Sequence, residues 1–299
     1  MKYEFDTADQ LLKLCKKHKC SISEIAKRYE AERSGKAIST VRSGMKRARD
    51  VMYEAVKEGV KSTKKSKFNL SGGDANKLFQ SLSSLKLMMG NKVTVRAMAY
   101  AIAVGETNAN MGRIVAFPTA GGAGVIPGAL FSCAEHFKAG KRQLLRGMFT
   151  SSAIGIIIAE GATLSAAKGG CQAEVGAATA MAAAGLTEMR GGTPEQCFHS
   201  AAIALKSYLG LACDPLGGLV EVPCIKRNAL GAVAAISASD MVIAGIESKV
   251  PFDEVVKAMN DIAESMSERI RETALGGLAI TKTGNKVKKK LGLKITKEL

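Results

Sequence analysis

Apolar residues recur along this chain with the period of a helix and almost nowhere with that of a strand. Leu11, Leu12, Leu14 and Cys15 place a helix over 7–17. Ser21 and Glu24 have the spacing of a capping box, which predicts a second helix to about Ala31. Val41, Met45, Ala48, Met52, Val56 and Val60 line one face of a third, over 38–60. The stretch KSTKKSKFNLSGG then breaks the pattern with basic and small residues, and Asp74 stands as N-cap for a helix over 75–89.

Beyond it the pattern is helix after helix. Met98, Ala101, Ile102 and Val104 mark one over 92–111. Gly121–Gly124 precedes another over about 124–138, with Pro127 near its first turn. A helix follows over 141–165, and Gly169-Gly170 ends that run. Glu174–Leu186 is Ala-rich and helical, and Thr193-Pro194-Glu195 has the cap and N1 proline of a helix to about Leu209. Residues 210–224 read as loop, 226–248 as helix, and Pro251 opens a last long helix to about Glu272. Only pieces such as Leu219–Val222 alternate with period two. The fold class is all-α: a multi-helix domain over 68–284, an N-terminal helical appendage over 1–67 and a basic tail over 285–299.

Composition agrees with close helix packing. Aromatics are 5% of the chain and Trp is absent, so small aliphatics must fill the core. The net charge of +16 is unevenly placed. Residues 1–67 hold 18 Lys and Arg against 9 Asp and Glu, and 282–299 hold 7 against 1. The stretch 68–281 is close to neutral, with 18 against 17. The basic ends suit a docking surface for an acidic partner, or are solvated helix faces and a frayed tail. They lack interleaved aromatics for base stacking, which argues against nucleic acid. No uncharged apolar run reaches the length of a membrane span, and the N-terminus carries no signal-peptide pattern. The expectation is a cytoplasmic protein whose seven cysteines are thiols or metal ligands, not disulfides.

Three of those cysteines stand apart. Cys171 in KGGCQAEVG, Cys213 in GLACDPLGG and Cys224 in VEVPCIKRN each sit in a Gly- or Pro-dense stretch, spaced by 42 and then 11 residues. A closed zinc site usually offers four ligands in close pairs, and none is present. Spacing alone leaves two readings: a thiolate site for a soft metal or iron–sulfur cluster, or buried structural thiols. Context favours the first. Prolines hold Cys213 and Cys224 in rigid loops, and a thiolate at Cys171 gains from a helix start. Cys133 and Cys197 read as core, and Cys15 and Cys20 lie among lysines.

Four long blocks carry a family resemblance: GETNANMGRIVAFPTAGGAGVIPGAL (105–130), GCQAEVGAATAMAAAGLTEMRGGTPEQ (170–196), GLACDPLGGLVEVPCIKRNALG (210–231) and RETALGGLAITKTG (271–284). Over about 20–284 the chain resembles the α subunit of iron–sulfur-dependent L-serine dehydratase. The resemblance implies a [4Fe–4S] cluster held by Cys171, Cys213 and Cys224, with one iron left without a thiol. It implies loss of water from L-serine to give pyruvate and ammonia, and a separate β subunit as partner. In that frame Thr119, Gly121, Gly122 and Gly124 suit a carboxylate site, since glycines let backbone N–H groups approach an anion at a helix start. Their plainer role is helix packing.

Asn108 and Asn110, at the end of a long apolar helix, are candidates for the substrate or for a neighbouring backbone. Lys226 could bind a carboxylate or tune the cluster, or simply open a surface helix. The catalytic base is unknown. Glu106, Glu160, Glu174 and Lys168 are candidates by location. His18 reads as solvated, and His136 and His199 as surface or core. The base could also come from the partner. Two alternatives stay open: the same elimination on threonine or cysteine, and a non-catalytic iron–sulfur or zinc protein.

Overall fold

A computed structural model describes residues 1–84 and 88–295. The described chain is helical throughout, and its one β contact is an isolated parallel bridge between Cys213 and Arg271. The fold is all-α, as the periodicity predicts.

The helices are α1 (Ala8–His18), α2 (Ile22–Ser34), α3 (Ile38–Gly59), α4 (Asp74–Ser81), α5 (Lys92–Ala109), α6 (Val125–His136), α7 (Lys141–Gly161), α8 (Ala166–Gly169), α9 (Ala177–Met189), α10 (Pro194–Lys206), α11 (Cys224–Ile243), α12 (Phe252–Ser265) and α13 (Lys282–Lys290). The centre is α9, every residue of which is buried. It packs against α6, α7, α10 and α11. Such a position needs small side chains, and α9 supplies a run of alanines. At the α7 crossing even alanine would not fit: a Cβ on Gly185 would lie 2.6 Å from the Gly147 carbonyl oxygen. Polar groups buried here are satisfied internally. Thr187 donates to the Ala183 carbonyl and shares hydrogen bonds with Ser200 and Ser239. The buried Glu188 carboxylate accepts from the Ser23 N–H and the Thr150 hydroxyl and pairs with Arg146.

The first three helices lie on this body. α2 packs on α7, and α3 on α5. The Asp253 carboxylate at the start of α12 accepts the Ala8 N–H at 2.7 Å. α7 is long and apolar enough to cross a membrane by length and composition, but 56% of that window is buried inside the protein, as in a core helix.

Several expectations need correction. Ser21 makes no side-chain cap bond; its hydroxyl meets Ser23, while Glu24 binds Lys27 and Arg28. Asp74 is the first residue of α4 and not its cap. The cap is Glu106, which accepts from the N–H groups of Gly73, Asp74 and Ala75. α4 ends at Ser81, short of the expected 89, and residues 85–87 of that expectation lie outside the described chain. α12 stops at Ser265, because the chain must extend to pair residues 270–272 with Cys213. Leu219–Val222 is turn, not strand. The C-terminal basic segment is helical to Lys290 and packs on the turns at 216–218 and 277–280, so it is not frayed there; residues 296–299 are outside the described chain. Thr193 caps α10 as expected, in a full capping box with Gln196.

Candidate active site

Three chain segments meet at one end of α9. The first is the turn into α9. Residues Gln172–Gly176 form a single π-helical turn, the kind of irregularity that often re-aims side chains at functional sites. It leaves Cys171 buried at its head and turns Glu174 toward the glycine loop. Gln172, fully buried, holds the turn to its neighbours: its side chain donates to the Met259 carbonyl and accepts the Gly210 N–H, and its own N–H donates to Leu211.

The second segment carries Cys213. The Cys213 N–H donates to the Ile270 carbonyl and its carbonyl accepts the Glu272 N–H, each at 2.8 Å. Asp214 clasps the same C-terminal stretch by accepting the Leu278 N–H at 2.8 Å. In that stretch Glu272 and Ala274 both have positive φ, of 65° and 54°. This conformation is strained for residues with a Cβ and concentrates at functional sites.

The third segment is the start of α11. Cys224 is its first residue, helical rather than in the loop where proline had suggested it, because Pro223 acts as the N-cap. Arg227 reaches back to bind the Ala212 carbonyl at 2.8 Å and Asp214 at 3.0 Å, which brings its charge within electrostatic reach of Cys171. Asn228 is buried and bridges to the glycine loop. Its amide donates to the carbonyls of Gly121 (2.6 Å) and Cys224 (2.9 Å), and its oxygen accepts the Gly124 N–H at 2.9 Å.

The three thiols are all buried and electrostatically coupled. The Cys213 thiol donates to Cys171, and with Arg227 alongside this holds Cys171 below the usual thiol range, although burial opposes it. The same bond, with burial, raises Cys213. Burial and the neighbouring Cys171 push Cys224 up to about 12. Cys171 is therefore the first of the three to ionise. The other cysteines are free thiols elsewhere: Cys15, Cys133 and Cys197 are buried in the core, and Cys20 is half-buried. Among the described residues no three His, Cys, Asp or Glu side chains converge tightly enough to chelate a single ion.

The glycine loop faces the protein's own carboxylate. A Cβ on Gly121 would lie 2.2 Å from Glu174 Oε2, and one on Gly122 would lie 2.8 Å from the Glu174 carbonyl oxygen, so only glycine admits Glu174 here. The Thr119 hydroxyl accepts the Gly122 N–H at 3.3 Å and lies near enough to Glu174 to favour its charged form. Burial nevertheless raises the Glu174 pKa above the usual range, with Glu272 adding to the effect. Tyr208 packs on Gly176 and lies within electrostatic reach of Cys171.

The remaining candidates scatter. Asn108 is half-buried one turn beyond Gly105, which packs on Ile225 next to Cys224. The Asn110 amide donates to the Glu106 carbonyl, capping its own helix. Lys226 is exposed and paired with Asp74 at 2.5 Å. Glu160 and Lys168 are exposed. His199 accepts the Ser248 N–H, and His136 meets the Phe137 ring edge-on. His18 is half-buried against Tyr3, where a solvated side chain was expected. Glu106 spends its carboxylate on α4.

Residues that periodicity and motif did not single out complete the site: Gln172, Tyr208, Asp214, Arg227, Asn228 and Arg271. The Nε of Arg271 is buried without a partner, while its Nη1 lies 3.4 Å from the Lys168 carbonyl oxygen. Apart from Tyr208, which lies just before the third block, their sequence signal was only that they fall inside the four long blocks.

Comparison with known proteins bears on this arrangement. The profile of the family described as serine dehydratase alpha chain matches residues 17–279. A probable L-serine dehydratase alpha chain of Bacillus subtilis (strain 168) is 45% identical over 287 residues, covering 96% of this chain and 95% of the relative. The L-serine dehydratase alpha chain of Peptoniphilus asaccharolyticus is 40% identical, covering 95% and 97%. An L-serine dehydratase of Escherichia coli (strain K12) is 36% identical over 93% of this chain, which spans only 62% of that longer protein. With the matched region spanning every segment of the site, the chain belongs to the serine dehydratase alpha chain family.

Proposed function

We propose that this chain is the α subunit of an L-serine dehydratase and converts L-serine to pyruvate and ammonia with a β subunit as partner. The observation that carries the reading is the meeting of three buried thiols from three segments beside a glycine loop, in a chain with this family membership. The partner is inferred from the alpha-chain names of the full-length relatives and from the longer single-chain relative.

Cys171, Cys213 and Cys224 would hold a [4Fe–4S] cluster. The donor set suits it. Three buried thiols lie within electrostatic reach of one another, and a cluster takes one thiolate on each iron it binds through cysteine. No fourth cysteine follows Cys224. Arg227 offsets thiolate charge, and the lowered pKa of Cys171 favours its ionised form. When bound, the cluster supplies Lewis acidity for departure of the substrate hydroxyl.

The chain's own groups do the rest. Thr119, Gly121 and Gly122 would line the substrate carboxylate's site beside Glu174, and the unpartnered Arg271 Nε offers a cation for it. Asn108 and Asn110, at the end of α5, are the further polar groups of the chain proposed to contact the amino acid. Lys226, held by Asp74, acts at a distance by positioning the start of α11. Two sources serve for removal of the Cα proton: Glu174, whose raised pKa makes it a stronger base than an ordinary carboxylate, or a group from the β subunit. After water leaves, the resulting enamine becomes an imine and hydrolyses in solvent.

An anaerobic assay of pyruvate formation from serine, with and without the β subunit, tests the reading. Turnover should appear only with both chains. Full activity from this chain alone would refute the split enzyme, and none with both chains would refute the reaction. Glu174→Gln in the complete enzyme assigns the base: loss of turnover with KM retained places it on this chain, and retained turnover places it on the partner.

A further inference from the structure

A second concave site lies between α2, α3 and the first turns of α7, lined by neither the thiols nor the glycine loop. It is a cavity of about 740 Å³, within the size range of small-ligand pockets. Four cations line it: Lys27, Arg42, Arg142 and Arg146. Glu24 is the single carboxylate among the lining residues, and it is already bound by Lys27 and Arg28. Arg146 pairs with Glu188 beneath the floor. Arg42 and Arg142 make no ion pair or hydrogen bond among the described residues. Both side chains are exposed, which leaves two unpaired guanidinium groups on different helices open to an external anion. Guanidinium groups match the oxygens of phosphates in paired hydrogen bonds. One wall is apolar, from Ile38 and Phe149.

We propose that this cavity is a second binding site, for a small organic molecule carrying one or more phosphoryl groups. The charge balance selects phosphoryl over carboxylate. With Lys27 held by Glu24 and Arg146 by Glu188, the two charges of Arg42 and Arg142 remain, and one carboxylate offsets only one of them, whereas a phosphoryl group carries up to about two negative charges in little volume. The cavity has room for a diphosphate with space remaining, and the Ile38–Phe149 wall suits the organic part. Cys20 lines the same cavity and is half-buried, so its reactivity reports on occupancy.

The test uses the full chain, with its partner where the two copurify, and two probes: inorganic pyrophosphate and ADP. The readouts are calorimetric affinity and the rate of Cys20 alkylation, followed by mass spectrometry of the Cys20 peptide. Both probes should protect Cys20 at concentrations below about 1 mM, with ADP the tighter because of the apolar wall. The R42E/R142E double variant should weaken both by at least about tenfold while far-UV circular dichroism and serine turnover are unchanged. R42Q and R142Q, milder changes, should each weaken binding in the same direction if the double variant does not fold. The proposal is overturned if neither probe protects, if chloride at matched ionic strength protects equally, if the variants bind as the parent does, or if pyrophosphate binds more tightly than ADP. Protection by polyglutamate with none by pyrophosphate would also overturn it, and would make the face a docking surface for an acidic protein.

Discussion

Asn228 is the residue through which the glycine loop and the Cys224 helix are held in register, and its removal has a calculable effect. Replacing it with Ala deletes three hydrogen bonds in a buried site. The Cys224 carbonyl keeps its helical partner four residues on. The Gly124 N–H and the Gly121 carbonyl lose theirs. An orphaned buried backbone group costs about 1–3 kcal/mol, so with two of them Asn228→Ala should destabilise the chain by roughly 2–6 kcal/mol, or lower Tm by about 3–10 °C.

Asn228→Asp sharpens the test. The carboxyl oxygen can still accept the Gly124 N–H, but an ionised group would face two carbonyls with no donor. Its folded pKa must therefore rise above the unfolded value of about 3.9. A carboxyl raised in this way contributes its stability below the unfolded pKa and loses it as pH rises through the folded pKa. The deficit of the Asp variant against the parent should be small near pH 4 and grow toward pH 8, while that of the Ala variant stays flat. Urea unfolding followed by circular dichroism at both pH values measures this. An Ala variant within about 0.5 kcal/mol of the parent, or an Asp deficit independent of pH, would refute the bridging role.

Further outcomes can be checked alongside. Asp74 is bound to Lys226 and Lys77, chiefly the former, and these hold its pKa below the ordinary value. That stability is present above the unfolded pKa and is lost as pH falls through the folded one. The pair is about half-exposed, so a D74N/K226M double-mutant cycle at pH 7 should give a coupling below about 1 kcal/mol, with the D74N deficit shrinking as the solution is acidified. Among the cysteines outside the site, iodoacetamide at pH 8 should modify Cys20 first. Cys133, pushed up to about 11 by burial, Cys15, up to about 12, and the fully buried Cys197 should all lag. Faster labelling of Cys197 than of Cys20 would contradict the packing.

What the sequence could show and what it could not divide along physical lines. Local signals were legible. Thr193-Pro194 capped α10 as read, and the alanines of 177–184 became the buried central helix, since both effects act within a few residues. Signals that depend on distant partners were not. The cap of α4 comes from Glu106, more than thirty residues away, so Asp74 was a natural but wrong choice. The π-turn at 172–176 leaves the helical period intact to the eye while changing where Glu174 points. The three cysteines stood out by their Gly and Pro surroundings. Arg227 and Asn228, which lock two of their segments together, looked like ordinary residues of an exposed helix start. Their partners, Asp214 and Gly121, become visible only in three dimensions.

The central claim is that Cys171, Cys213 and Cys224 together hold an iron–sulfur cluster. Iron and acid-labile sulfide, counted per chain in anaerobically purified protein, test it most directly. The account predicts about four of each, with visible absorption that bleaches in air. Cys171→Ala, Cys213→Ala and Cys224→Ala should each abolish both, and Cys15→Ala and Cys20→Ala should leave both intact. A colourless protein with stoichiometric zinc and no sulfide, or equal loss in all five variants, would contradict it.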